Sequence, residues 1–190
     1  MAEYNIISQT IWNSEKYKSL KKDHIAKLVY LYFINSPHSN SCGCYTVHVG
    51  YIMADLNMVE EEVVKSIDRL SEVGLIEYDY DENTVYIHRF LDHNPPRNPK
   101  HAIKVFNDSL SIGSKRFRVL CMAQISAILK KKGWKLSEDK QEILDRLSIG
   151  QPTLVTPNPT QPNPTQRIYR RFPRSTRSRS GNRGDFRTHT

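Results

Sequence analysis

"NMVEEEVVKSIDRLSEVGLIEYDYDENTVYIHRF", residues 57–90, is the stretch whose reading decides the fold. Its first half sets Val63, Ile67 and Leu70 at three- and four-residue spacing, the apolar stripe of an amphipathic helix. Gly74 stands where a left-handed residue would stop that helix. "LIEYDY" and "TVYIHRF" then read as two strands around "DEN", a hairpin. The stretch is also acidic. From Asp55 to Asp92, 11 Asp and Glu stand against Lys65, Arg69 and Arg89, a net charge of −8.

Upstream, "KKDHIAKLVYLYFINSP" places Ile25, Leu28, Val29, Tyr32 and Phe33 on a helical stripe that Pro37 ends. "CYTVHV" alternates like a short strand, and "HVGYIMADLNM" reads as a brief helix with Ile52, Met53 and Leu56 inward. A leading helix, strand, short helix, longer helix and hairpin, in that order, is the syntax of a winged helix-turn-helix, with the acidic helix in the reading position and the hairpin as wing. The expected core is Ile25, Leu28, Phe33, Ile52, Leu56, Val63, Ile67, Leu70, Leu75, Val85 and Ile87.

Downstream, "DHNPPRNP" breaks regular structure, because each proline lacks an amide donor and restrains the residue before it. The helical pattern then returns through Ile103, Phe106 and Leu110, through Phe117, Leu120, Ile125, Ile128 and Leu129, and through a last segment with Ser137 as cap and Ile143, Leu144 and Leu147 inward. After Gly150 the composition changes. "PNPTQPNPTQ" is a perfect five-residue duplication, too poor in apolar groups to offset the entropy of ordering. Residues 151–190 carry eight Arg, no Lys and one Asp. This tail is either a basic contact segment or, since a tandem repeat in the gene invites slippage, a frame-shifted product.

The expected class is therefore α+β, mostly α: a winged helix-turn-helix domain over 1–92, a Pro-rich linker and basic helical extension over 93–150, and a disordered spacer and tail over 151–190. The chain is 190 residues with net charge +8, but the tail supplies +7 of it. Distribution matters more than total. Residues 16–27 carry +4 and residues 97–135 carry +9. The opening "MAEYNIISQT" has neither basic flank nor apolar run of a secretory signal, and "LVYLYFI" is too short for a bilayer span. Three cysteines, an odd number, suit a reducing compartment. A soluble protein of the bacterial cytoplasm is expected.

The segments "IWNSEKYKSL", "SPHSNSCGCYTVHVGYIMADLNM", "RLSEVGLIEYD" and "FLDHNPPRNP" resemble the winged-helix N-terminal part of phage-encoded replication proteins, the replisome-organiser and DnaD-like group. The resemblance spans about residues 9–100, and its most specific elements are "PHSN", "GYIMADL" and "HNPPRNP". It implies a non-enzymatic protein of phage or prophage DNA replication that binds DNA and recruits a host or phage replication factor, a helicase or its loader. It supplies no catalytic motif and no cofactor.

The charge map locates the contacts. Phosphates need cations or free amides, and base edges need Arg, Lys, Asn or Gln. Nucleic acid is therefore expected at Lys16, Lys18, Lys21 and Lys22 and at Arg97, Lys100, Lys104, Lys115, Arg116, Arg118, Lys130, Lys131 and Lys132. Glu60, Glu61, Lys65, Asp68, Arg69 and Glu72 on the acidic helix, with Asp79, Asp81 and Glu82 at the wing, are expected to meet a protein, or a second copy of the chain. The other reading of these charges is a solvated surface, or basic helices folded back on the acidic module. Glu60, Glu61 and Glu62 also suit the positive end of a helix dipole.

Two other functions fit the same elements: a winged-helix transcriptional regulator reading an operator, and an inhibitor whose acidic face imitates DNA toward a host protein. His38, Cys42, Cys44 and His48 spell H-x3-C-x-C-x3-H, a tetrahedral zinc set on paper, but the spacing is unconventional and Gly43 gives the same segment a role as a bend into a strand. His88, Asp92 and His93 lack any nucleophile or phosphate loop beside them, so catalysis is not expected. Trp12 and Trp134 are read as packing residues rather than base-stacking ones.

Overall fold

The computed structural model describes residues 7–149; the spacer and tail expected over 151–190, and the side chain of Leu147, lie outside the described residues. The architecture is α+β and mostly helical, around one three-stranded antiparallel sheet. A 3-10 turn at Gln9–Asn13 and the short helix α1 (Glu15–Lys18) lead into α2 (His24–Asn35), β1 (Cys44–Thr46), α3 (Val49–Leu56), α4 (Glu60–Glu72), β2 (Ile76–Asp79) and β3 (Thr84–Ile87). Then follow α5 (Phe90–His93), α6 (Pro99–Leu110), α7 (Lys115–Lys132) and α8 (Glu138–Ile149).

Helix α4 forms where its stripe requires. Val63, Ile67 and Leu70 are fully buried, the Glu62 carboxylate accepts from the Val59 N–H at 3.3 Å to close the first turn, and Gly74 ends the helix at φ +70°. Asp23 starts α2 by accepting from the Ala26 amide at 2.9 Å. Asn98 does the same for α6 through His101, with Pro99 at the first helical position, where a missing N–H costs nothing.

The expected stripe of α2 is off by about one residue. Ala26, Val29, Tyr30, Phe33 and Ile34 face the core, whereas Ile25 and Leu28 are 39% and 46% exposed. The sequence is apolar on nearly every side of this helix, so periodicity alone does not select the inner face. Ile143 on α8 is likewise exposed, and Leu144 takes the inward position.

The sheet runs β1-β3-β2, with Cys44 opposite Tyr86 and Ile76 opposite Ile87. Strand alternation sends Tyr45, Ile76, Tyr78, Val85 and Ile87 to one face and Cys44, Thr46, Glu77, Thr84 and Tyr86 to the other. The first face is covered by α2 and α4; the Tyr45 phenol donates to Phe33 O at 2.6 Å. The second face is covered as well. Tyr86 stacks on Phe117 of α7 with centroids 5.6 Å apart, Gln124 of α7 donates to the Tyr86 phenol at 2.7 Å, and the Ser41 N–H donates to Asp108 of α6 at 3.0 Å. The helices after the prolines thus complete the core: Val105, Phe106, Phe117 and Ile125 belong to the same buried cluster as Val63 and Ile87.

Candidate nucleic-acid and protein interfaces

The sheet separates two helical layers, and carboxylates predominate outside α4 on one as cations do outside α6 and α7 on the other. On the layer of α2 and α4, the residues of α4 turned away from Val63, Ile67 and Leu70 are Glu61, Lys65, Asp68 and Glu72, one per turn along the solvent side. Glu60 and Glu61 are exposed in its first turn. Asp68 is half-buried, and burial pushes its carboxyl above the usual range although the Tyr80 phenol, donating at 3.2 Å, pulls it down. Glu72 pairs with Arg69 at 3.0 Å.

Arg69 reaches further, donating to Ser19 O at 3.1 Å, and Lys16 donates to Gly74 O at 2.9 Å. Both cations thereby tie the segment before α2 to the C-terminal end of α4, where the helix dipole favours positive charge. Lys18, Lys21 and Lys22 are exposed beside them. At the hairpin tip the Asp79 carboxylate accepts from the Asp81 and Glu82 amides at 3.1 and 3.2 Å, so it serves the turn itself. Glu82 lies against Gly113, between α6 and α7.

On the layer across the sheet, α6 buries Ala102, Val105, Phe106 and Ser109 and leaves Lys100 and Lys104 one turn apart on its exposed side. Arg97 precedes it, also exposed. Lys115 opens α7, and Lys130, Lys131 and Lys132 close it, all exposed; Lys132 lies 5.9 Å from the Trp134 ring. Arg118 and Arg116 of this layer have structural partners. Arg118 is half-buried and directs Nε and Nη2 onto Ile112 O at 3.0 and 2.6 Å. Arg116 pairs with Glu77 of β2, which His88 also approaches at 3.2 Å. Burial alone would raise the Glu77 carboxyl; the His88 hydrogen bond and the charges of Arg116 and His88 outweigh it and hold the group below the usual carboxylate range. One contact between the basic extension and the acidic module is therefore an ion pair. The sequence gives no sign of it, since Glu77 and Arg116 lie 39 residues apart.

Cys42, Cys44 and Cys121 are all buried thiols, and the Cys42 thiol donates to Asn40 Oδ1 at 3.2 Å and to Cys44 O at 3.4 Å. His38 and His48 instead lie against the exposed ring of Tyr51, at 4.7 and 5.9 Å. The H-x3-C-x-C-x3-H residues thus divide between core and surface. Among the described residues no group of three or more His, Cys, Asp and Glu is placed to hold a metal ion. Asp92 pairs with Arg89 at 2.8 Å and His88 with Glu77, so the residues around "HNPP" serve local structure. A cleft of about 570 Å³ opens between the N-terminal turn and the end of β3, floored by Tyr30, Ile34, Leu75 and Phe90. No helix among the described residues is long and apolar enough to cross a membrane.

No protein-family model matches the chain, and no curated protein or solved structure matches it either.

Proposed function

We propose that this chain is a winged-helix protein that binds DNA without chemistry of its own, in the replication of a phage or prophage. The cations of α6 and α7, with Lys18, Lys21 and Lys22, hold phosphates. The acidic outer side of α4 takes a replication protein, a helicase or its loader. What supports the winged-helix reading is the order α2-β1-α3-α4-β2-β3 with the strands paired β1-β3-β2. What carries the functional reading is the layering: a sheet with Glu61, Asp68 and Glu72 outside one helical layer and Lys100, Lys104, Lys115 and Lys130 outside the other.

Electrostatics explains why the reading helix is given up as a DNA contact. Glu61, Asp68 and Glu72, with Glu60 in the first turn, outnumber Lys65 along the outer side of α4 and repel a phosphate backbone, while the same charges attract a basic protein surface. Cations on the far layer bind phosphate without naming a sequence, since phosphate contacts position and base contacts specify. The replication role itself rests on the resemblance of residues 9–100 to phage replication proteins.

The test is a salt titration of duplex binding by the full chain. If about six phosphates are neutralised, the log-log slope is about −5. A chain that binds no duplex even at low salt, but retains a basic host protein, would be the inhibitor instead. A preference of about a thousandfold or more for one sequence at matched salt would make it a regulator.

A further inference from the structure

Helix α2 is apolar on more sides than its own fold covers. Ala26, Val29, Phe33 and Ile34 face the core, yet Ile25 and Leu28 remain 39% and 46% exposed on the opposite side. A helix hydrophobic all round belongs in an interior. The strip continues onto α3: Tyr32, one turn after Leu28, donates its phenol to Asp55 at 2.7 Å, and Tyr51, one turn before Asp55, is 52% exposed.

The two ends of this strip differ in charge. Lys21 and Lys22 stand exposed just before the N-terminus of α2, while Asp55 flanks its C-terminal half and the Tyr51 ring lies against His38, just beyond its end. A two-fold axis through Leu28 lays α2 antiparallel against a copy of itself. Ile25 and Tyr32 sit three and four residues either side of Leu28, about 5 Å each way along the axis, so each meets the other across the seam. Lys21 and Lys22 then face the copy's Asp55 and Tyr51, an ion pair and a cation over a ring, and the helix dipoles run in opposition. A parallel arrangement would set like ends together.

We propose that this strip is the docking surface for a second copy of the chain, joined through α2 about a two-fold axis at Leu28. Such an interface is self-complementary and closed, giving a dimer rather than a filament. Its apolar centre is small beside the roughly 800 Å² per partner of a permanent dimer, so association is concentration-dependent, on the order of micromolar. The inference goes beyond the nucleic-acid reading and shares only Lys21 and Lys22 with it; Leu28→Glu leaves those cations and all of α4, α6 and α7 in place.

Sedimentation velocity of the full chain across the micromolar range tests it. The expected result is a mass of 22.1 kDa at dilution, rising toward twice that value. Leu28→Glu, at an exposed position, should keep the circular dichroism spectrum and weaken association at least about tenfold, since it places unpaired carboxylates at the two-fold. Asp55→Lys should weaken it too, and adding Lys21→Glu and Lys22→Glu to the same chain should restore it. A wild-type chain that stays monomeric throughout overturns the proposal, even if it retains another protein that Leu28→Glu releases. So does a dimer indifferent to Leu28→Glu, or a charge swap that fails to restore association.

Discussion

Tyr86 of β3 and Phe117 of α7 lie face to face, their rings inclined by 24° and their centroids 5.6 Å apart. The contact joins the central strand to the helices that follow the prolines, and both rings are buried. Phe117→Ala should therefore cost about 3–5 kcal/mol, the range for deleting a buried phenyl group. Because Phe117 shares one core with Val63 and Ile87, urea should still give a single transition, seen alike by circular dichroism and tyrosine fluorescence. Two separated transitions would mean that the extension folds on its own.

Gly43 is held at φ +70° on the way into β1, and a Cβ there would fall 2.1 Å from Phe90 Cγ. Gly43→Ala combines left-handed strain of about 1–2 kcal/mol with overpacking of about 1–3 kcal/mol. Chemical denaturation should show a loss near the sum of the two.

Under the proposed function, the basic layer divides into phosphate-binding cations and structural ones. Replacing Lys115, Lys130 and Lys131 by Ala should weaken every duplex alike and flatten the salt slope by about 3, with little change in melting temperature. Arg118→Ala should do the reverse, losing about 1.5–3 kcal/mol of stability with the Ile112 O bonds and leaving the slope nearly unchanged. Fluorescence anisotropy at several salt concentrations, beside thermal melts, distinguishes them.

Glu77 is held low by His88 and Arg116 against the opposing effect of burial, so its ionised form is favoured by folding. That contribution is fully present above the unfolded carboxylate value, about 4.3, and fades as pH falls through the lower folded value. The stability difference between the wild-type chain and Glu77→Gln should be constant near pH 6 and close below about pH 4. A difference independent of pH would assign Glu77 a packing role only.

Asp68 behaves in the opposite sense. Burial raises its folded value, so protonation is favoured by folding and stability is lost as pH rises through that value. Asp68→Asn keeps an oxygen for the Tyr80 phenol and should raise the melting temperature at pH 7, the gain vanishing at pH 3. Melting curves at the two pH values check the sign.

Much of this architecture is legible in the sequence. Val63, Ile67, Leu70 and Gly74 announce α4 because its outer positions are charged and only one apolar face remains. Ile25 and Leu28 mislead because α2 offers apolar residues at neighbouring angles, and only tertiary packing chooses among them. The charge map shows where cations and carboxylates concentrate but not which of them meet. Arg116 on Glu77 and Lys16 on Gly74 O, 39 and 58 residues apart, are products of long-range folding. The second covered face of the sheet is hidden for a related reason: Cys44, Thr84 and Tyr86 alternate with Tyr45, Val85 and Ile87 in runs apolar enough to suit burial on one side or both.

Cys42 and Cys44 come from the segment entering β1, and Cys121 from the helix that closes over the sheet. With the molecule shut, none of the three sulfurs is reachable. Parting α7 from the sheet would bare all of them together, so the rate at which a small thiol reagent is consumed times that motion and counts its occurrences. The protein carries its own stopwatch for breathing between its layers, and no dye need be attached to read it.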